Sequence, residues 1–192
     1  MEGKFMLKPM PKQEYLADLQ ARNRRNREVV ETTFVSLNEA QRSTQPAPGE
    51  WSVDQCFKHL VTSFENFAPN TTAALNRPER PNSDGIFRPS WLTSKTLPAT
   101  FEPKRNIRTL PRFNPTTSSH PKILTRWLAQ NDRLTMMIEQ AARADLQAKC
   151  WYFKGLYRFR LGEFLYFFVA HDELHIDQAW RALAVYEQRV AV

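Results

Sequence analysis

An all-α fold is predicted for these 192 residues by three observations. Apolar residues recur at helical spacing in four separate stretches. Strand-like alternation is nearly absent. Eight of the 13 prolines fall in one segment, 77–121, which leaves the four stretches free of helix breakers but for one. Four amphipathic helices bury their stripes best against one another, as a bundle. The length and the 42% hydrophobic content suit one domain, 1–192, with a sizeable core.

The first helix is predicted over Gln13–Arg42, with Leu16, Leu19, Val30, Phe34 and Leu37 on its stripe. Asn23 and Asn26 occupy two positions that the stripe should fill, flanked by Arg22, Arg24, Arg25 and Arg27. Thr44–Glu50, with Pro46, Pro48 and Gly49, reads as a loop. Ser52 and Gln55 have the spacing of a capping box and open the second helix. Val53, Cys56, Phe57, Leu60, Phe64 and Phe67 form its face, and Pro69 is expected to kink or end it.

Residues 77–121 are Pro-rich, basic and too broken for a long helix. They also carry Phe87, Trp91, Leu92, Leu97, Phe101, Leu110 and Phe113. A disordered linker would be poorer in such side chains. An ordered, extended excursion between helices two and three is expected, packing these residues onto the bundle. The third helix is expected to open at Ser119-His120-Pro121 and to present Leu124, Trp127, Leu128, Asn131, Leu134 and Ile138. Residues 150–160 read as an aromatic connector with room for a short strand. The fourth helix is predicted from about Leu161 to Gln188.

Two cysteines exclude a disulfide-dense scaffold and a four-Cys zinc site. The N-terminus offers no signal-peptide run, and Phe164–Ala170 is too short to span a bilayer, so a cytoplasmic protein without a membrane partner is expected. Net charge is +7, and residues 77–125 contribute 9 Lys/Arg against 3 Asp/Glu. Such a patch is more often a solvated face than a nucleic-acid footprint, and nucleic acid is not the expected partner.

Three of the four histidines are placed for chemistry. His171 and His175 are four residues apart on the apolar side of the fourth helix, so both rings reach one point. His59 lies at the edge of the second helix's face. Three imidazoles plus an open position make the ligand set of a catalytic metal site. The competing reading is three core histidines with protein partners. His120 reads as a surface or capping residue. Cys56 is an available thiolate but reads as a small buried hydrophobe. Gln55 could orient His59, although the capping box already uses it. Asp172 and Glu173 fall off the histidine face and read as solvated, and Glu163 reads as a cap of the fourth helix.

Pro48-Gly49-Glu50-Trp51-Ser52-Val53-Asp54-Gln55-Cys56-Phe57-Lys58-His59-Leu60 resembles the opening of the second helix in the DinB-like superfamily, which includes the YfiT-type metal-dependent hydrolases. His171-Asp172-Glu173-Leu174-His175-Ile176-Asp177-Gln178 resembles that family's fourth helix. The resemblance implies an up-down-down-up four-helix bundle and a homodimer. It also implies zinc or nickel held by His59, His171 and His175. Thiol transfer and thiol-dependent isomerisation occur in the superfamily, so a low-molecular-weight thiol and a small-molecule substrate are implied too. No catalytic residue beyond the ligands is assigned. The alternative is a non-catalytic, stress-related module that meets a partner through the basic segment 77–125.

Overall fold

The bundle forms in the computed structural model of the chain, which describes residues 7–77, 84–101, 109–153 and 157–191. Its four long helices are α1 (Lys12–Thr33), α3 (Val53–Leu75), α5 (Ile123–Gln140) and α6 (Leu161–Val190). The short helices α2 (Glu39–Ser43) and α4 (Trp91–Thr100) lie in the connections. Two small antiparallel pairs complete it: β1 (Met10–Pro11) with β2 (Ile86–Phe87), and β3 (Lys149–Phe153) with β4 (Tyr157–Arg160). Among the described residues, no helix is long and apolar enough to cross a membrane.

Contacts between helices fix their directions. Tyr15 reaches Gly162 and Arg22 reaches Glu173, so α1 and α6 run parallel. Phe57 meets Trp127, and Asn76 accepts from Gln140, so α3 and α5 run parallel. Phe64 packs on Phe168 and Phe67 on Phe164, so α3 opposes α6. Lys12 reaches Ala144 while Arg27 reaches Asp132, so α5 opposes α1. The order is up-down-down-up, with α3 and α5 as the two downward helices.

The predicted first helix is two. α1 ends at Thr33, and a capping box restarts the chain at Asn38. Gln41 N donates to Asn38 Oδ1 (3.0 Å) and Asn38 N donates to Gln41 Oε1 (2.9 Å). A side chain that satisfies free N–H groups this well starts a helix rather than sitting inside one. Pro69, in contrast, does not end α3, which continues to Leu75. It lies on the exposed face, where water can satisfy the carbonyl it leaves unbonded. Beyond it Thr71, Ala74 and Leu75 are buried and hold the last turns in place. α5 starts at Ile123, after Lys122 turns through a left-handed conformation (φ 63°), so Pro121 precedes the helix instead of opening it.

The excursion is less extended than its prolines suggest. α4 fits between Pro89 and Pro103 and includes Pro98 in its last turn. Phe87, Leu97 and Phe113 are buried, whereas Trp91, Leu92 and Leu110 are exposed rather than packed on the bundle. Residues 78–83 and 102–108 of that stretch lie outside the described residues. Phe87 is wedged between Tyr15, with ring centroids 4.4 Å apart, and the backbone of Gly162. The aromatic connector is the β3–β4 pair, with Trp151 opposite Phe159.

The core consists of two apolar clusters. One gathers Leu16, Leu19, Phe64, Leu134, Phe164 and Phe168, and the other Val30, Phe57, Leu60, Trp127, Ile176 and Leu183. Along each helix some buried polar residues gather at or near the boundary between them: Asn23 and Asn26 in α1, His59 and Ser63 in α3, Gln130 and Asn131 in α5, Asp172 and His175 in α6. The two asparagines that interrupt the α1 stripe belong to this mid-height layer. Asn131 Nδ2 donates to Asn23 Oδ1 (2.8 Å), Asn23 Nδ2 to Thr135 Oγ1 (2.9 Å), and Asn26 Nδ2 to the Val169 carbonyl (3.2 Å). Asn131→Ala should cost about 1–3 kcal/mol, because it strands a buried amide oxygen on Asn23. Urea unfolding measures this, and an unchanged midpoint would contradict it.

Candidate metal centre

The structure brings His59, His171 and His175 together in the polar layer. One ring nitrogen from each lies within 4.8 Å of the other two. The ring centroids are 4.6–4.9 Å apart. His59 Nε2 is 3.0 Å from His171 Nε2. α6 supplies two of the rings because residues four apart share a face, and the opposed helix α3 supplies the third.

Hydrogen bonds behind two rings fix which nitrogen faces inward. His59 Nδ1 is 2.9 Å from the carbonyl of Phe113, which can only accept, so Nδ1 carries the proton. His175 Nδ1 is 2.8 Å from Gln178 Oε1 and donates to it in the same way. Both rings are therefore held in the tautomer that leaves Nε2 as a lone pair. Two inward lone pairs, with His171 Nε2 only 3.0 Å from that of His59, gather three neutral imidazoles at a point that suits a cation. The donor set fits a divalent metal, and its imidazoles suit zinc and nickel alike.

Electrostatics keep the rings neutral. Burial holds His175 down to about 3, with His59 beside it adding to the effect. Burial likewise lowers His171, well below the usual value, with His175 and His59 contributing. His59 is lowered by burial, against the Phe113 hydrogen bond. Aromatic rings do the burying. Trp51 lies 4.9 Å from His59 and stacks on His175 at 5.6 Å, and Phe167 stacks on His171 at 5.0 Å. Phe101 packs on His171 at 6.0 Å and Phe113 meets His59 edge-on at 6.4 Å.

The remaining candidates lie elsewhere. Cys56 is fully buried outside the cluster, and burial pushes its thiol far up, so it stays protonated. Gln55 Oε1 accepts from Ser52 N (2.9 Å), which leaves His59 to Phe113. His120 N donates to Asp54 Oδ2 (2.9 Å) at the start of α3. Glu163 is buried and accepts from Arg160 N (2.8 Å), as a cap does, and also from Ser90 N (2.5 Å). Asp172 departs most from expectation. It is buried, not solvated, and accepts from Trp127 Nε1 (3.3 Å), while burial raises its carboxyl to about 8. Glu173 makes a two-bond ion pair with Arg22 (2.8 and 2.6 Å) instead of facing water alone. The helical spacing did place both carboxyls off the histidine face. It missed that α1 and α5 cover that side.

The sequence reading also missed Phe113, whose backbone carbonyl carries no sequence signal. It missed the walls made by Phe101 and Trp51, although Trp51 stands next to the capping box.

These shifts predict a stability optimum for the metal-free protein near neutral pH. Below the unfolded histidine value of about 6.5, the unfolded chain binds protons that the native rings refuse. Stability is then lost as pH falls, by about 1.4 kcal/mol per pH unit for each neutral ring. Asp172 acts oppositely: its native carboxyl keeps a proton that the unfolded one releases, so stability falls as pH rises towards 8. Urea midpoints between pH 5 and 8.5 should show the maximum, and Asp172→Asn should flatten its alkaline side. A flat acid limb would refute the neutral rings.

The chain is an up-down-down-up bundle of helices with three histidines gathered at mid-height, a donor set that suits a single ion. A family model for the DinB superfamily matches residues 22–179, and the chain belongs to that superfamily. Among solved structures it is similar to YfiT from Bacillus subtilis, described as a probable metal-dependent hydrolase with an unusual four-helix bundle topology. The two share 17% identity with a TM-score of 0.51, over 89% of this chain and 85% of that one, a likeness of fold. No curated protein matches the chain significantly.

Proposed function

We propose that this chain is a metal-dependent enzyme acting on a small molecule, by hydrolysis or by thiol transfer. The observation that carries the reading is the convergence of three imidazole nitrogens within 4.8 Å, with two rings locked by partners behind them. His59, His171 and His175 would hold zinc or nickel. The ion would supply Lewis acidity, which lowers the pKa of a water or thiol at the position the imidazoles leave open. Phe113 and Gln178 hold two rings in the tautomer that can donate a lone pair. Trp51, Phe101 and Phe167 limit water around the rings, which strengthens electrostatic interactions there. Asp172 and Glu173 are engaged with Trp127 and Arg22, so neither is offered as a general base.

Metal content tests the reading. Untagged protein equilibrated with zinc or nickel and then dialysed should retain about one ion per chain by mass spectrometry. The ion should raise the unfolding temperature, since it binds the native state alone. A chain that retains no ion under either condition has no such site. With an ion bound, a screen of ester hydrolysis and thiol addition separates the two reactions.

A further inference from the structure

The members of the site that keep some exposure show what can approach it. His59, His175 and Phe113 are buried, whereas His171, Trp51, Phe101 and Phe167 are partly exposed. The accessible side of the cluster is thus one imidazole packed by Phe101 and Phe167, with Trp51 against the other two rings. These aromatic side chains come from three separate segments: the second residue before α3, the residue after α4, and α6. Phe101 contacts both His171 (6.0 Å) and Phe167 (5.6 Å), while Phe167 lies nearly parallel to His171 (24°).

From this geometry we infer that the site accepts a substrate with a planar aromatic body, seated against Phe101 and Phe167 with its reacting group towards His171. The inference deepens the metal-enzyme reading and rests on it. Aromatic rings prefer offset or edge-to-face contact with other rings, and the exposed faces of Phe101 and Phe167 beside His171 offer such contact. Phe101 belongs to the excursion, so selectivity for the body is assigned to that segment and reactivity to the histidines.

Two hydroxamates separate the parts. Acetohydroxamate and benzohydroxamate present the same chelating head to a metal and differ in the body. Calorimetric titration of the zinc-loaded full chain should find benzohydroxamate tighter by about 30-fold, since phenyl buries roughly 80 Å² more apolar surface than methyl. Phe101→Ala should cut that advantage to about fivefold or less, leaving zinc content and acetohydroxamate affinity unchanged. Phe101→Leu, which keeps the apolar bulk and loses the ring, guards against a folding effect and should fall between. Equal affinity of the two probes in the native chain overturns the aromatic-body assignment and leaves the metal reading intact. So does an advantage that survives both substitutions, or failure of benzohydroxamate to bind a chain that carries zinc. A chain that takes up no zinc overturns both.

Discussion

His171→Ala should remove bound metal. His171 forms one corner of a triangle of rings, with its Nε2 3.0 Å from that of His59 and its ring 4.7 Å from that of His175. Loss of a partner behind a ligand commonly lowers metal affinity by about 10–100-fold. Loss of the ligand itself should exceed the upper end, leaving two imidazoles on opposed helices. At micromolar zinc the variant should fall from about one ion per chain to almost none. His59→Ala should behave alike, and His120→Ala, whose ring lies outside the cluster, should retain the ion. Full stoichiometry in His171→Ala would sink the three-ligand assignment. The variant should keep its helical circular dichroism, since the two apolar clusters do not depend on the ring.

Gly162→Ala should destabilise the fold, although alanine is the better helix former. A Cβ at Gly162 would lie 2.4 Å from Phe87 Cε2 and 2.7 Å from its Cζ. Phe87 cannot yield easily, since it is 1% exposed and Tyr15 closes its other side. Overpacking of this kind costs about 1–3 kcal/mol. The propensity gain is about 1 kcal/mol in a helix interior and less in the first turn, where Gly162 sits. The clash should win, and Gly162→Val should be worse. Phe87→Leu should rescue much of the loss, because the narrower side chain vacates the space. Additive effects in the double variant, measured by urea unfolding, would show that the two residues do not meet.

Much of the architecture was legible in the sequence, and the reasons are local. The capping box at Ser52 and the apolar stripes of α3, α5 and α6 are written in residues near one another along the chain. So is the pairing of His171 with His175. What the sequence could not show depends on partners distant in the chain. Asp172 reads as solvated from its helix alone, because the indole that covers it comes from α5. The partner that orients His59 is a main-chain oxygen 54 residues away, which any residue at 113 could offer. α1 was read as too long because Phe34 and Leu37 continue its apolar pattern. Asn38 outweighs that pattern through its side chain. Prolines misled in both directions: Pro69 and Pro98 lie inside helices, whereas Pro121, expected to open α5, precedes it.

The asparagine layer also explains how a bundle of interchangeable apolar stripes settles on one alignment. Leucine against phenylalanine tolerates a helix sliding by a turn with little change in buried area. An amide pair does not, because the slide separates donor from acceptor and leaves both dry. Moving α1 one turn along α5 would carry Asn23 away from Asn131, and the buried Asn131 amide would lose the Asn23 Oδ1 that accepts from it. Single buried polar residues fix register in coiled coils in the same way. Asn23 and Asn131 serve here as a registration mark. They hold α1 and α5 at one height, in the same layer that carries the imidazoles of α3 and α6.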